Sequence, residues 1–99
     1  MAQRKIIWSN KARSKLYEIL DFYIERNKSK TYSVKLYKRI QKDLKLIVKM
    51  PNAGMKTDLD PVRGLIVENL IIFYEHSADE IIIHTIWDCR QDPDQLEIK

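Results

Sequence analysis

The spacing of apolar residues changes at Pro51, and this change restricts the fold more than any other feature of the sequence. Before Pro51, apolar residues recur every three to four positions, as on one face of a helix. After it, they occur in short runs rich in Ile, Val and aromatic residues, which is typical of strands. Because the chain has only 99 residues, we predict one α+β domain over residues 1–99.

The first half of the chain is predicted to form a strand and two helices. Residues 5–8 are β-branched and aromatic, and Ser9 or Asn10 can cap the helix that follows. The second helix should run from about residue 30 to residue 50, where Pro51 stops it. One face of the first helix is apolar, with Ala12, Leu16, Ile19, Leu20 and Tyr23, and so is one face of the second, with Leu36, Tyr37, Ile40, Leu44, Ile47 and Val48.

The second half is predicted to form an antiparallel meander of three strands, over residues 62–67, 70–75 and 80–87, after a polar connection to Pro61. The predicted order is therefore β-α-α-β-β-β, with a helical hairpin packed on an antiparallel sheet. Residues 70–74 and 81–83 are apolar on both faces of their strands. We expect the helices to cover one face and a partner, or the tail from Cys89 onward, to cover the other.

Charge is divided unevenly between the two halves. Residues 1–50 contain 14 Lys and Arg against four Asp and Glu, whereas residues 51–99 contain four against ten. The second helix has a cationic stripe of six residues at helical spacing: Lys35, Lys38, Arg39, Lys42, Lys45 and Lys49. This stripe is either a solvated face or a surface that binds phosphate or carboxylate groups of a partner or nucleic acid.

Two arginines of the second half are candidates for chemistry. Arg63 and Arg90 each present a guanidinium that suits phosphate, so either is a candidate for stabilising a transition state on RNA. The alternative is ion pairing of these arginines with Glu68, Asp88 or Asp92.

His84 is a candidate general base, since its pKa usually lies near neutrality. It alternates with Ile82 and Ile86, so the alternative is a hydrogen-bonded histidine within the sheet. Trp87 is either a core residue or an anchor for a partner at a strand end.

Several classes of protein are excluded or disfavoured. No apolar run approaches the roughly 20 residues of a membrane span, and no secretory signal is visible. With the single Cys89, this predicts a cytoplasmic protein without membrane association. No motif with metal-ligand spacing and no phosphate-binding glycine loop occurs, so we expect neither a metal nor a cofactor.

Ordered motifs over nearly the whole chain resemble the RelE/ParE-type toxins of bacterial type II toxin–antitoxin pairs. The motifs are IIWS at residues 6–9, the apolar face of the first helix, MPNAG at 50–54, VRGL at 62–65, LIIFY at 70–74 and IWDCRQDP at 86–93. The resemblance implies a growth inhibitor that a cognate antitoxin neutralises. It also implies that operator DNA is bound only through the antitoxin.

The resemblance leaves the target open between two subgroups. RelE-like members cut mRNA on the ribosome with basic residues of the sheet and usually a tyrosine near the C-terminus. Here Ile71 stands where a key arginine is expected, and the tail offers Leu96 instead of tyrosine. Of the RelE-like catalytic residues, only Arg90 and Arg63 have counterparts here. The pattern therefore favours a ParE-like toxin that binds DNA gyrase and is not an enzyme. The alternatives are a RelE-like endoribonuclease and a non-toxic module that binds nucleic acid or antitoxin.

Overall fold

Two helices lie against one sheet in the computed structural model, which describes residues 4–89. The elements are β1 (Lys5–Trp8), α1 (Asn10–Asn27), α2 (Thr31–Lys49), a 3-10 turn (Pro51–Ala53), β2 (Met55–Lys56), β3 (Arg63–Val67), β4 (Leu70–His76) and β5 (Glu80–Asp88). The predicted α+β order is confirmed. The prediction of a plain connection up to Pro61 is wrong, because Met55 and Lys56 pair with β3.

The five strands form one sheet in the order β1-β5-β4-β3-β2. The pairings β2–β3, β3–β4 and β4–β5 are antiparallel, which confirms the meander, whereas β1 pairs with β5 in parallel. β1 and β5 can be parallel because the helical hairpin separates β1 from the meander in the chain. The hairpin carries the chain to the far edge of the sheet, where β2 begins. Both edge strands are short, with four residues in β1 and two in β2.

Local sequence determines where the helices begin and end. The Ser9 hydroxyl accepts a hydrogen bond from the Ala12 N–H at 3.0 Å, so Ser9 is the N-cap of α1. Lys28, with φ of 52°, ends α1 in the left-handed conformation and donates its N–H to Ile24. This tight ending allows α2 to begin at Thr31 and pack back against α1.

The main core fills the space between the helices and one face of the sheet. Tyr37 was predicted on the buried face of α2, but its side chain is 42% exposed, and Ser33 is buried instead with its hydroxyl donating to the Leu20 carbonyl. Strand residues in this core are Val67, Leu70, Ile72, Tyr74, Ile81, Ile83 and Ile86, and helix residues are Ala12, Leu16, Ile19, Tyr23, Leu36, Ile40, Leu44 and Ile47.

A smaller cluster forms on the opposite face of the sheet. Val62, Phe73 and Trp87 are buried together there, with Ile71 packed against them. This cluster accounts for part of the apolar character that the sequence shows on the second face of β4 and β5. The tail beyond Cys89, which was the other expected cover, lies outside the described residues.

A bulge interrupts the pairing of β4 with β5. Phe73 is opposite Thr85 and Tyr74 is opposite Ile83, so His84 is an extra residue that lies opposite no residue of β4 in the backbone pairing. The extra residue reverses the alternation of side chains along β5. The prediction that His84 alternates with Ile82 and Ile86 is therefore wrong, because Ile86 belongs to the main core together with Ile81 and Ile83.

Candidate partner-binding surfaces

The turn after α2 is held by side chains from β3 and β4. The Tyr74 hydroxyl donates to the Pro51 carbonyl at 2.6 Å and accepts from the Gly54 N–H at 3.0 Å. His76 Nε2 lies 3.1 Å from Asn52 Oδ1. These contacts give the MPNAG motif a structural role, since it joins the helices to the sheet.

Tyr74 and Gly54 depend on each other. Burial raises the pKa of the Tyr74 hydroxyl, against the opposing effects of the Gly54 N–H and the charge of Arg63. A Cβ added at Gly54 would collide with that hydroxyl. Glycine is therefore required at this position so that the backbone can approach the ring.

The nuclease candidates Arg63 and His84 have different partners within the chain. Arg63 Nη1 donates to the carbonyl of Gly54 at 2.9 Å and to that of Asn52 at 3.4 Å. The expected pairing of Arg63 with Glu68 is wrong, because Glu68 pairs with Arg39 at 3.3 Å. Two backbone carbonyls thus hold Arg63 at the turn after α2.

His84 is bound within the sheet. Its Nε2 lies 2.6 Å from Oε1 of Glu75, and both side chains are largely buried. This contact bears out the hydrogen-bonded alternative for His84, with Glu75 on the neighbouring strand as its partner. The remaining candidate, Arg90, lies outside the described residues.

The cationic stripe on α2 divides into two parts. All six side chains are exposed, but Arg39 is paired with Asp43 and Glu68, each at 3.3 Å. The other five residues form a lysine row that has no ion pair within residues 4–89: Lys35, Lys38, Lys42, Lys45 and Lys49. Trp87, the other candidate for partner binding, is only 7% exposed because it belongs to the smaller apolar cluster.

An apolar groove that the sequence analysis did not find runs between the outer sides of α1 and α2. It has a volume of about 340 Å³ and is lined by Leu20, Ile24, Ser33, Val34 and Tyr37, with Lys30 and Lys38 at its rim. Val34 and Tyr37 are both exposed, as are Tyr17 and Phe22 on α1. In the sequence, these residues form a second set of apolar positions beside the buried face of each helix, and that pattern could have revealed the groove.

Some kinds of site do not occur in the described part of the chain. Residues 4–89 contain no group of three His, Cys, Asp or Glu side chains that could hold a metal ion. No helix in the same range is long and apolar enough to cross a bilayer.

Comparison with known proteins identifies the family. A search of curated protein sequences gives no match. The solved structure of a chromosomal ParDE toxin–antitoxin system from P. aeruginosa has the same fold, with a TM-score of 0.73 at 24% identity, over 85% of this chain and 94% of that chain. The family model for the ParE toxin of the type II toxin–antitoxin system parDE matches residues 6–93. Since this match covers most of the sequence, the chain belongs to the ParE toxin family of type II toxin–antitoxin systems.

Proposed function

We propose that this ParE-family toxin acts in the cytoplasm by binding DNA gyrase, that it does not cleave RNA, and that a cognate antitoxin neutralises it. Operator DNA would be recognised through the antitoxin alone. Membership of the ParE family identifies the chain as a toxin and leads us to expect an antitoxin. The choice between gyrase and mRNA depends on the side chains of the sheet.

One observation supports binding over catalysis: the sheet face away from the helices carries apolar side chains where a ribonuclease needs cations. Ile71 lies in the cluster of Val62, Phe73 and Trp87, and Ile66 opposite it on β3 is 52% exposed. Cleavage of a phosphodiester requires positioned charges around the reacting phosphate, and losing one such group typically costs about 3 kcal/mol of transition-state stabilisation. An apolar face suits a protein partner instead.

The same conclusion follows from the candidate acid–base groups. Arg63 is engaged by carbonyls of the turn after α2, and His84 is engaged by Glu75. Both groups already have partners within the chain, which does not favour their acting together on a substrate phosphate.

The groove between the helices supports the expectation of an antitoxin. Val34 and Tyr37 offer an apolar strip, and Lys30 and Lys38 at the rim favour an acidic partner. An amphipathic acidic segment would bury its apolar side in this groove. A second copy presenting the same groove would instead place lysines against lysines.

The test of the target compares two enzymatic readouts with the purified protein. We expect loss of DNA supercoiling by gyrase and accumulation of gyrase-bound DNA breaks, while mRNA on translating ribosomes stays intact. Cleavage of that mRNA, abolished by Arg90→Ala, would establish the endoribonuclease instead. Unimpaired growth of cells that express the protein without an antitoxin would indicate a non-toxic module.

A matched pair of variants tests which surface binds which partner. Val34→Asp in the groove and Ile66→Asp on the sheet each place one carboxylate at a residue that is about half exposed. We expect Val34→Asp to keep its toxicity but to lose rescue by the antitoxin encoded beside it. We expect Ile66→Asp to lose gyrase inhibition and still bind the antitoxin. The opposite pattern would contradict the assignment of the surfaces.

A further inference from the structure

We propose that the lysine row of α2 binds the sugar–phosphate backbone of double-stranded DNA, without reading its sequence. This activity goes beyond the proposed function, because it belongs to the toxin alone and needs neither gyrase nor antitoxin. Three properties of the row support DNA binding: its geometry, its lack of ion-pair partners within residues 4–89 and its side-chain chemistry.

The row is straight and faces away from the core. Lys35 and Lys49 are 14 positions apart, which is about 21 Å along a helix at 1.5 Å per residue. At 3.6 residues per turn, the five lysines fall within an arc of about 80°. The buried residues Leu36, Ile40 and Ile47 lie on the other side of the helix. All five ammonium groups can therefore reach one extended polyanion at the same time.

The charges of the row are not neutralised within the described part of the chain. The nearby carboxylates Asp43 and Glu68 are both engaged by Arg39, at 3.3 Å each. No carboxylate within residues 4–89 pairs with a lysine of the row. The positive potential along this side of α2 is consequently available to an external anion.

The row extends beyond the helix at its C-terminal end. There a groove of about 390 Å³ is lined by Arg4, Ile6, Lys45, Val48 and Lys49. Arg4 is fixed in this position because its Nε donates to the Ser77 carbonyl at 2.8 Å and its Nη1 to the Val48 carbonyl at 3.3 Å. Arg4, the residue before β1, thus adds a sixth cation to the line of charge.

The chemistry of the row favours a nucleic-acid backbone over an acidic protein. Lysine is a point charge that attracts phosphates without the forked geometry with which arginine reads guanine. Protein interfaces usually require a central apolar or aromatic anchor. Leu46 only borders the row, and Val34 and Tyr37 belong to the groove on its other side. A duplex needs no such anchor, since released counterions provide the binding free energy.

The test measures the salt dependence of binding to DNA. A fluorescein-labelled duplex of about 20 base pairs, or two helical turns, is titrated with the toxin alone and followed by anisotropy. Because each neutralised phosphate contributes about −0.9 to the slope of log K against log salt, five lysines predict a slope of about −4.5. We expect Lys38→Gln/Lys42→Gln/Lys45→Gln to reduce the steepness of the slope by about 3 and to weaken binding at low salt at least about tenfold.

A second triple variant removes the same net charge elsewhere. Arg13→Gln/Arg26→Gln/Lys28→Gln alters exposed cations of α1 and its end, so it changes the charge of the protein without changing the row. We expect its slope and affinity to match the wild type, and we expect both variants to keep the wild-type circular dichroism and melting temperature. Equal losses in the two variants would overturn the proposal, because they would show a nonspecific effect of net charge.

Competitors distinguish the possible anions. Unlabelled duplexes of unrelated sequence should compete equally, which would support recognition of the backbone alone. Duplex RNA that competes far better than DNA would overturn the assignment to DNA. Poly-glutamate that competes as well as DNA at equal charge would overturn it in favour of an acidic protein. Absence of binding at about 50 mM salt, where backbone contacts are strong, would overturn it altogether.

Discussion

The two faces of the sheet are both apolar but have different roles. Within residues 4–89, the face under the helices belongs to an apolar core of fifteen buried residues, whereas the apolar cluster on the opposite face has three buried residues, Val62, Phe73 and Trp87. Beside this small cluster, Ile66 and Ile7 remain exposed. The comparison indicates that one face stabilises the fold, while the other retains apolar area that a partner can bury. This division predicts that substitutions on the two faces will differ in their cost to stability.

Ile40→Ala should cause the largest loss of stability, because Ile40 is completely buried between α2 and the sheet. Truncating such a side chain leaves a cavity, and we expect the free energy of unfolding to fall by about 4 kcal/mol. Urea unfolding followed by circular dichroism measures this change. A loss below about 1 kcal/mol would mean that the helix-covered face does not dominate folding.

Phe73→Ala should cost less, although a larger side chain is removed. Its cluster has only three buried residues, so fewer contacts are lost than in the main core, and we expect a loss of about 3 kcal/mol, at the lower end of the usual range. The same urea experiment measures it, with Ile40→Ala for comparison. A loss equal to that of Ile40→Ala would show that the two faces contribute alike to folding.

Tyr74→Phe removes a hydroxyl with two hydrogen bonds and should cost about 1–2 kcal/mol, because the Pro51 carbonyl and the Gly54 N–H lose their partner. Burial raises the pKa of Tyr74 in the folded protein. Its neutral form is favoured there, so this contribution to stability is complete below pH 10 and is lost as the pH rises above the pKa of an unfolded tyrosine, about 10.

The pH dependence separates the hydroxyl from the ring. Between pH 9 and pH 11, we expect the stability of the wild type to fall more steeply than that of Tyr74→Phe. Tyr17→Phe is the matched control, since Tyr17 is exposed and should leave the wild-type slope unchanged. Parallel curves for the wild type and Tyr74→Phe would contradict the role given to burial.

Ile66→Ala should have the smallest effect on stability, below about 0.5 kcal/mol, because the side chain is half exposed and lies on the sheet face away from the helices. Its effect should appear in binding instead, as weaker inhibition of gyrase in a supercoiling assay. A destabilisation like that of Phe73→Ala would place Ile66 in the folding core. Normal inhibition would remove it from the target-binding surface.

The sequence predicted the elements with strong periodicity. The two helices follow from apolar residues such as Ile40 and Leu44, one turn apart, and the meander follows from runs such as Ile81 to Ile83. It did not predict β2, since Met55 and Lys56 have no strand pattern and pair only because β3 lies beside them. Local periodicity contains no information about such tertiary pairing.

The side-chain contacts of the candidate site were harder to predict. For Arg63 the sequence left open a role at phosphate and an ion pair with a carboxylate, but its partners are carbonyls of a turn nine and eleven residues earlier in the chain. His84 was placed on the wrong alternation because one extra residue in β5 is invisible in the sequence. By contrast, the lysine row was visible at once, since helical spacing alone determines which residues share a face.

The short edge strands have a consequence for the free toxin. A long, flat edge would offer unpaired backbone groups to neighbouring copies and promote fibre formation. Here β2 provides only two residues and carries Lys56, and β1 provides four, with Lys5 at its start. Such short edges disfavour strand pairing between copies of a chain that also exposes an apolar groove and apolar residues on its outer sheet face. Under the proposed function, this would limit self-association of the toxin after it loses its antitoxin and before it binds gyrase.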